Sequence, residues 1–204
     1  MFELKLTPSF AIGQRAFLIL SPAGNVLWDC IPLLDESTIE FIKSKGGLKA
    51  MAFSHPHYYS NMNDWATVFN CPIYIHQKDE SWIMNKGSNV TLWNSNEKEL
   101  WDGITIIHTG GHFPGSCLLR IPALSRQGVV LCGDTLYVSR NKVHIAVMHS
   151  YPNQIPLPLH EAQRILTFVE TINFDTLYGA FDFQNLTTDV KQILKNSLAR
   201  YITE

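Results

Sequence analysis

The 204-residue sequence has few charged side chains and no concentrated run of either sign. Asp, Glu, Lys and Arg make up 17% of the chain, and the formal net charge is −2. Lysine and arginine are scattered, and KSK near position 44 is their densest run. Because a nucleic-acid groove needs a concentrated positive field, this pattern argues against a nucleic-acid partner.

The sequence also lacks long apolar runs and closely spaced cysteines. No run of 18 apolar residues is present, so we expect no membrane-spanning segment. The N-terminal MFELKLTPSF has no basic region followed by an apolar core, so we expect no secretory signal. No CxxC pair occurs among the four cysteines, which are Cys30, Cys71, Cys117 and Cys132. These features predict a cytoplasmic protein with reduced, buried thiols.

The remaining composition, 46% hydrophobic, predicts one globular domain over residues 1–204. Runs rich in β-forming residues alternate with segments of helical period. Strands are predicted at 15–21, 25–30, 48–54, 72–76, 104–108, 116–122, 128–134, 142–148 and 174–180. Helices are predicted at 35–47, 61–70, 156–172 and 187–204, with a further helix start at 78–85 and an irregular segment at 86–103. Two groups of strands flanked by helices predict a three-layer or four-layer α/β arrangement.

Two histidines one residue apart follow a predicted strand in AFSHPHYYSN, where His55 and His57 stand. The spacing alone is equally typical of two ordinary loop histidines, but loops at strand ends are common places for binding sites. A third histidine, His112, lies among glycines in TGGHFPGS, directly after the predicted strand ITIIH. Glycine permits close backbone approach, so His112 is placed to reach into a cleft or to serve the turn itself.

A carboxylate ends the apolar strand in VVLCGDTLY, where Asp134 follows Gly133. Taken alone, this aspartate is more typical of a turn cap than of a metal ligand. Together, His55, His57, His112 and Asp134 supply three imidazoles and one carboxylate, each at a strand-to-loop junction. Three neutral histidines suit Zn²⁺ or a similar divalent ion, with a fourth position open for water.

The order SHPHYYSN, GGHFPGS and LCGDTLY resembles the metallo-β-lactamase fold superfamily of metal-dependent hydrolases. GNVLWDC resembles the early aspartate element of that family, and CPIYIHQKD resembles the strand after its first histidine helix. The resemblance covers nearly the whole chain. It implies a four-layer αββα sandwich with the metal site at one edge of the two sheets, and a structural, metal-supporting role for Asp29.

The chain departs from the family pattern at the ligands of a second metal. The family's first element is usually HxHxDH, but Tyr59 and Ser60 occupy the Asp-His positions here. In LYGAFDF, Ala180 or Phe181 stands where the family has its last histidine. The resemblance therefore implies a divergent member that lacks the second-metal ligands.

One divalent ion is expected at the remaining ligands, namely His55, His57 and His112. Asp134 is expected to be a fourth ligand or a hydrogen-bond partner of the metal-bound water. The ion expected is Zn²⁺, with Fe or Mn as alternatives. Catalysis is expected from Asp134 and from Tyr59, which takes the place of the missing carboxylate.

The resemblance implies hydrolysis of a small ester, thioester or lactone by metal-bound hydroxide. Two other functions fit the same residues: a catalytically impaired metal-binding member with a structural or sensing role, and an iron-dependent oxidoreductase. The expected partner is a small-molecule substrate, and a homo-oligomer stays open. Asp64 and Asp182 are expected to be solvated, and His149 with Tyr151 is a candidate for lining the cleft.

Overall fold

The computed structural model describes residues 1–150 and 153–202, which build two six-stranded β-sheets. In the first sheet, neighbouring strands follow chain order from β1 to β6. Their bounds are β1 Phe2–Leu4, β2 Ala16–Ile19, β3 Val26–Trp28, β4 Ala50–Ala52, β5 Ile73–His76 and β6 Val90–Trp93. Pairing is antiparallel from β1 to β3 and parallel from β3 to β6. Two crossover helices, α1 Glu36–Ser44 and α2 Met62–Phe69, connect the parallel strands.

The second sheet has the order β16, β15, β10, β9, β8, β7. Its strands are β7 Glu97–Glu99, β8 Thr105–His108, β9 Cys117–Ile121, β10 Val129–Leu131, β15 Thr176–Tyr178 and β16 Asn185–Leu186. Two helices accompany this sheet, α3 Leu159–Thr171 and α4 Val190–Ile202. In the sequence between β10 and α3, four short strands form two antiparallel pairs. β11 Tyr137–Val138 pairs with β12 Ile145–Ala146, and β13 Met148–Ser150 pairs with β14 Ile155–Pro156.

The central strands are apolar on both faces, and this requires two covering layers. Leu118 of β9 and Val130 of β10 pack with the helices α3 and α4. Their neighbours Leu119 and Leu131 pack in the cluster between the two sheets. Because side chains alternate along a strand, each strand buries one row in each cluster. With α1 and α2 outside the first sheet, the layers run αββα, which confirms the predicted four-layer sandwich.

Several segments differ from the sequence prediction, and two of them lie between β5 and β8. Residues 86–103 were expected to be irregular, but they contain β6 and β7. β6 is defined by its parallel pairing with β5, and the charged β7 tolerates its Glu and Lys because it is a sheet edge. Residues 78–85 were expected to start an α-helix, but a 3-10 turn at Gln77–Trp82 forms instead.

The four cysteines are free and buried, as predicted. None of the helices described over residues 1–150 and 153–202 combines the length and the hydrophobicity that a membrane span requires. The last two residues of the predicted C-terminal helix, Thr203 and Glu204, lie outside the described residues.

Helix α2 ends at Phe69, and the capping residue Asn70 has a φ of 49°, in the left-handed region. Asparagine tolerates this conformation better than alanine, whose Cβ is crowded there. We expect Asn70→Ala to lower the free energy of unfolding by about 1 kcal/mol. Asn70→Gly should leave it unchanged or raise it, and urea unfolding of the three proteins measures both. Equal loss in the two variants would contradict this account of the helix end.

Candidate metal centre

The predicted ligands meet at one edge of the sandwich, each in the loop that follows a strand. His55 and His57 follow β4, and His57 lies in a 3-10 turn at Pro56–Tyr58. His112 follows β8, and Asp134 follows β10. Each residue offers one ligand atom, and these four atoms lie within 4.8 Å of one another. Strands from both sheets therefore present their loops to a single point.

Asp134 Oδ2 is the atom that faces all three imidazoles. It lies 3.3 Å from His55 Nε2, 3.8 Å from His57 Nδ1 and 3.9 Å from His112 Nε2. His55 Nε2 and His57 Nδ1 are 3.1 Å apart. Three ring nitrogens and one carboxylate oxygen thus converge on a common position, while the other carboxylate oxygen, Asp134 Oδ1, remains outside this contact set.

Ser54 and Asp29 orient the His55 ring from behind. Ser54 Oγ lies 2.8 Å from His55 Nδ1 and 2.9 Å from Asp29 Oδ2, and the Ser54 backbone N–H donates to Asp29 Oδ1 at 2.7 Å. When Asp29 is ionised, the Ser54 hydroxyl donates to the carboxylate and accepts a hydrogen bond from His55 Nδ1–H, so that Nε2 presents its lone pair to the centre. Asp29 therefore occupies the supporting position that the resemblance implied.

Burial raises the pKa of Asp29 to about 8, and its hydrogen bonds from Ser54 oppose that shift. A cation at the centre would oppose it further. Asp29 itself has a φ of 59° at the end of β3, a left-handed conformation that aspartate tolerates. In this conformation the Asp29 carboxylate faces Ser54.

The His112 ring is held by the Met148 carbonyl, which accepts from Nδ1 at 3.1 Å. Its Nε2 is consequently a lone-pair acceptor, buried and without a hydrogen-bond partner among the described residues. Burial lowers the pKa of His112 to about 4 and also lowers the pKa of His55. Both rings are therefore neutral near pH 7, which is the form that binds a metal.

The Asp134 carboxylate is buried, and both its oxygens lack hydrogen-bond partners in the described part of the chain. Burial raises its pKa, but the close approach of the His55 and His57 imidazoles outweighs burial, so the pKa lies well below its usual range. A buried carboxylate facing neutral imidazoles is costly unless a cation compensates it. A divalent ion would satisfy Asp134 Oδ2 and His112 Nε2 together, so the residues present fit a metal cofactor.

The residues at the positions of the missing second-metal ligands do not form a second group of metal-ligating side chains among the described residues. Tyr59 and Ala180 are buried in the core cluster beneath α1 and α2, while Ser60 is exposed. The Ala180 N–H donates to the Gly133 carbonyl at 3.2 Å, so this segment contacts the Asp134 loop through its backbone. Within residues 1–150 and 153–202, one group of three or more metal-ligating side chains occurs, the group already described.

Tyr59, the fifth candidate, is directed into the protein interior. Its ring packs edge-on against Phe53, with centroids 5.5 Å apart. Its phenol lies beside the Asp79 carboxylate, and burial together with that carboxylate raises the phenol pKa well above 10. The catalytic role predicted for Tyr59 stays a prediction, because its described contacts are with the core and not with the four ligands.

Two aromatic residues that the sequence reasoning did not single out form a wall of the site. The Phe113 ring lies 5.7 Å from His55, 5.1 Å from His57 and 5.2 Å from His112, between ring centroids. Trp82 packs edge-on against Phe113 at 5.1 Å and is 49% exposed. Phe113 could have been suspected from its place beside His112, but no local pattern connects Trp82 to a loop 31 positions later.

Asp64, Asp182 and His149 are not members of the ligand group. Asp64 is exposed on α2, and Asp182 is exposed and pairs with Lys5 at 3.0 Å, so both are solvated as predicted. His149 is exposed, and Tyr151 lies outside the described residues.

No family model matches the sequence. The chain is 37% identical over 203 residues to the uncharacterized protein YmaE of Bacillus subtilis (strain 168), a match that covers 99% of this chain and 74% of YmaE. Among solved structures, the metallo-β-lactamase DIM-1 matches with a TM-score of 0.70 and 14% identity, over 96% of this chain and 91% of that chain.

Two further solved structures are similar in fold. MEM-A1, a subclass B3 metallo-β-lactamase from a soil metagenome library, matches with a TM-score of 0.62 and 15% identity, over 94% of this chain and 89% of that one. TTHA1623, solved in a di-iron-bound form, matches with a TM-score of 0.63 and 18% identity, over 89% of this chain and 92% of that one. The chain therefore belongs to the same family as YmaE, and it has the metallo-β-lactamase fold.

Proposed function

We propose that this protein hydrolyses a small ester, thioester or lactone with the help of one divalent metal ion, Zn²⁺ in the first instance. The observation that carries the proposal is the convergence of buried, unpartnered donor atoms, His112 Nε2 and Asp134 Oδ2, beside two further imidazoles. The proposed ligands are His55, His57, His112 and Asp134. The absence of a second ligand group among the described residues supports a single ion.

A divalent ion in such a site supplies a nucleophile by lowering the pKa of bound water to about 7, and it polarises a carbonyl oxygen. Burial holds the His55 and His112 imidazoles neutral, and the hydrogen bonds at their Nδ1 atoms orient the two rings. Asp134 Oδ1, which is buried and has no hydrogen-bond partner among the described residues, is the acceptor that would take a proton from a water bound at the centre.

The surroundings favour a small acyl substrate with an apolar part. The Phe113 ring lies against all three imidazoles, and the half-exposed Trp82 extends the same apolar wall to the surface. Such a wall binds hydrocarbon through buried area while the polar ligands receive the carbonyl. The proposed partner is accordingly a small molecule.

Elemental analysis of protein purified without added metal, combined with hydrolysis assays on esters, thioesters and lactones, tests this function. We expect about one divalent ion per chain, loss of turnover on chelation and recovery when the ion is restored. A metal-free protein with full hydrolytic activity would contradict the proposal. One bound ion with no turnover on any substrate would favour the structural or sensing role, and a coloured, redox-active iron protein would favour an oxidoreductase.

A further inference from the structure

The loop that carries His112, residues 109–116, contacts the buried Asp79 carboxylate, which follows β5 of the first sheet. Asp79 lies in the 3-10 turn Gln77–Trp82 and is fully buried. Its Oδ1 accepts a hydrogen bond from the Gly115 backbone N–H at 2.6 Å. A short bond from an amide to an ionised acceptor is among the stronger hydrogen bonds of a protein interior, so it fixes the end of the loop.

Gly115 gives the carboxylate the space to reach the backbone. A Cβ built on Gly115 would lie 2.6 Å from Asp79 Cγ and 2.8 Å from each carboxylate oxygen. Gly115 is not among the residues with positive φ, so its backbone angle does not itself demand glycine. The close seat of Asp79 against the loop therefore explains why this position has no side chain.

The second oxygen of Asp79, Oδ2, is buried and has no hydrogen-bond partner within the described ranges. Burial raises the pKa of Asp79 to about 6, and the Gly115 hydrogen bond and the neighbouring Tyr59 phenol oppose that shift. A buried carboxylate with a single donor is costly, and the phenol is the neighbouring group that can supply a second donor.

The same 3-10 turn contacts the loop at a second point. Trp82 packs against Phe113, which is the residue after His112. The turn thus contacts the loop on the C-terminal side of His112 twice, through Phe113 and through Gly115. Since the loop also closes on itself through Ser116 Oγ, which accepts from the Phe113 N–H at 2.8 Å, its freedom to move is small.

We propose that Asp79, through its bond to the Gly115 N–H, is a positioning residue that sets the place of His112 in the metal centre. Tyr59, the neighbour of that carboxylate, would then support the single ion from outside the ligand group, at a position where the family pattern has a ligand of a second ion. This inference rests on the metal centre of the proposed function, but it does not depend on which substrate is hydrolysed.

Binding of Co²⁺ tests the proposal, because affinity and visible absorption both report on ligand geometry without an activity assay. We expect Asp79→Ala to weaken Co²⁺ binding about tenfold and to shift the absorption bands, in line with the effect of outer hydrogen-bond partners on metal sites. Asp79→Asn keeps an acceptor for Gly115 and should recover most of the affinity. Tyr59→Phe should weaken binding in the same direction, whereas Tyr74→Phe, on β5, should leave it unchanged.

Gly115→Ala provides an independent disturbance in case Asp79→Ala fails to fold. Its new methyl group overlaps Asp79, so it should weaken Co²⁺ binding, and the effect should shrink when Asp79→Ala is added. Unchanged affinity and spectrum in Tyr59→Phe and Gly115→Ala, with only the unfolding midpoint lowered, would overturn the positioning role. Wild-type protein that takes up no Co²⁺ would instead overturn the metal centre and this inference with it.

Discussion

Replacing His112 with alanine will remove the metal ion and abolish hydrolysis. His112 Nε2 is one of the converging donors, and the Met148 carbonyl keeps its lone pair aimed at the centre. Loss of a direct ligand should weaken metal binding by more than the roughly 100-fold that is the upper range for outer partners. Elemental analysis after dialysis, and hydrolysis of the best substrate found for the wild type, measure the two effects.

A loss of folding stability is the competing explanation for any loss of metal and turnover in His112→Ala. His112 is buried, and its removal leaves the Met148 carbonyl without its donor. His57→Ala separates the two: the His57 side chain is 32% exposed, so its loss should remove the metal at little cost in folding. His160→Ala is the matched control, since that side chain is 79% exposed on α3 and lies outside the centre. A His112→Ala protein that keeps one ion per chain and full turnover would contradict the assigned ligand set.

The candidate ligands were predictable because each lies in a short motif at the end of a strand. SHPH, GGHFPGS and CGDT each place a polar side chain at a strand-to-loop junction, and the structure brings these junctions to one edge. The side chains behind them were less accessible to such reasoning. Asp79 meets Gly115 across 36 positions of sequence, and only the packing of the two sheets brings them together.

Tyr59 shows why spacing alone does not define a role. By sequence it occupies a ligand position, two residues after His57. The 3-10 turn at Pro56–Tyr58 ends there, and the Tyr59 ring turns into the core against Phe53. Burial area decides the direction of that side chain, since an aromatic ring gains more from packing than from facing water. Tyr59 therefore lies beside Asp79 and not among the ligand atoms.

The fold was predictable where elements are long and periodic, and less so where pairing defines them. The helices α1, α3 and α4 were predicted to within a few residues because an apolar stripe and terminal signals mark them. The two-residue strands β11 and β16 carry no pattern of their own and exist through their partners. The predicted strand at 142–148 is divided between β12 and β13 for the same reason.

Gly133→Ala should both destabilise the fold and disrupt the metal centre. Gly133 precedes Asp134 and has a φ of 51°, and a Cβ there would lie 2.4 Å from Ser54 Oγ and 3.3 Å from His55 Nδ1. The methyl group would displace Ser54 from Asp29 and tilt the His55 ring. We expect a loss of about 2–4 kcal/mol in unfolding free energy, from left-handed strain and overpacking together, and metal affinity lower by about 10-fold to 100-fold.

Gly47→Ala is the matched control, because it separates backbone strain from steric overlap. Gly47 has a φ of 73°, yet nothing lies within 4 Å of a Cβ built on it. It should show the cost of the left-handed conformation alone, about 1–2 kcal/mol, with unchanged metal binding. Urea unfolding of the metal-free proteins and metal titration give both quantities. If Gly133→Ala matched Gly47→Ala in stability and bound metal as the wild type does, the close contact of the Asp134 loop with Ser54 would not be what holds His55 in place.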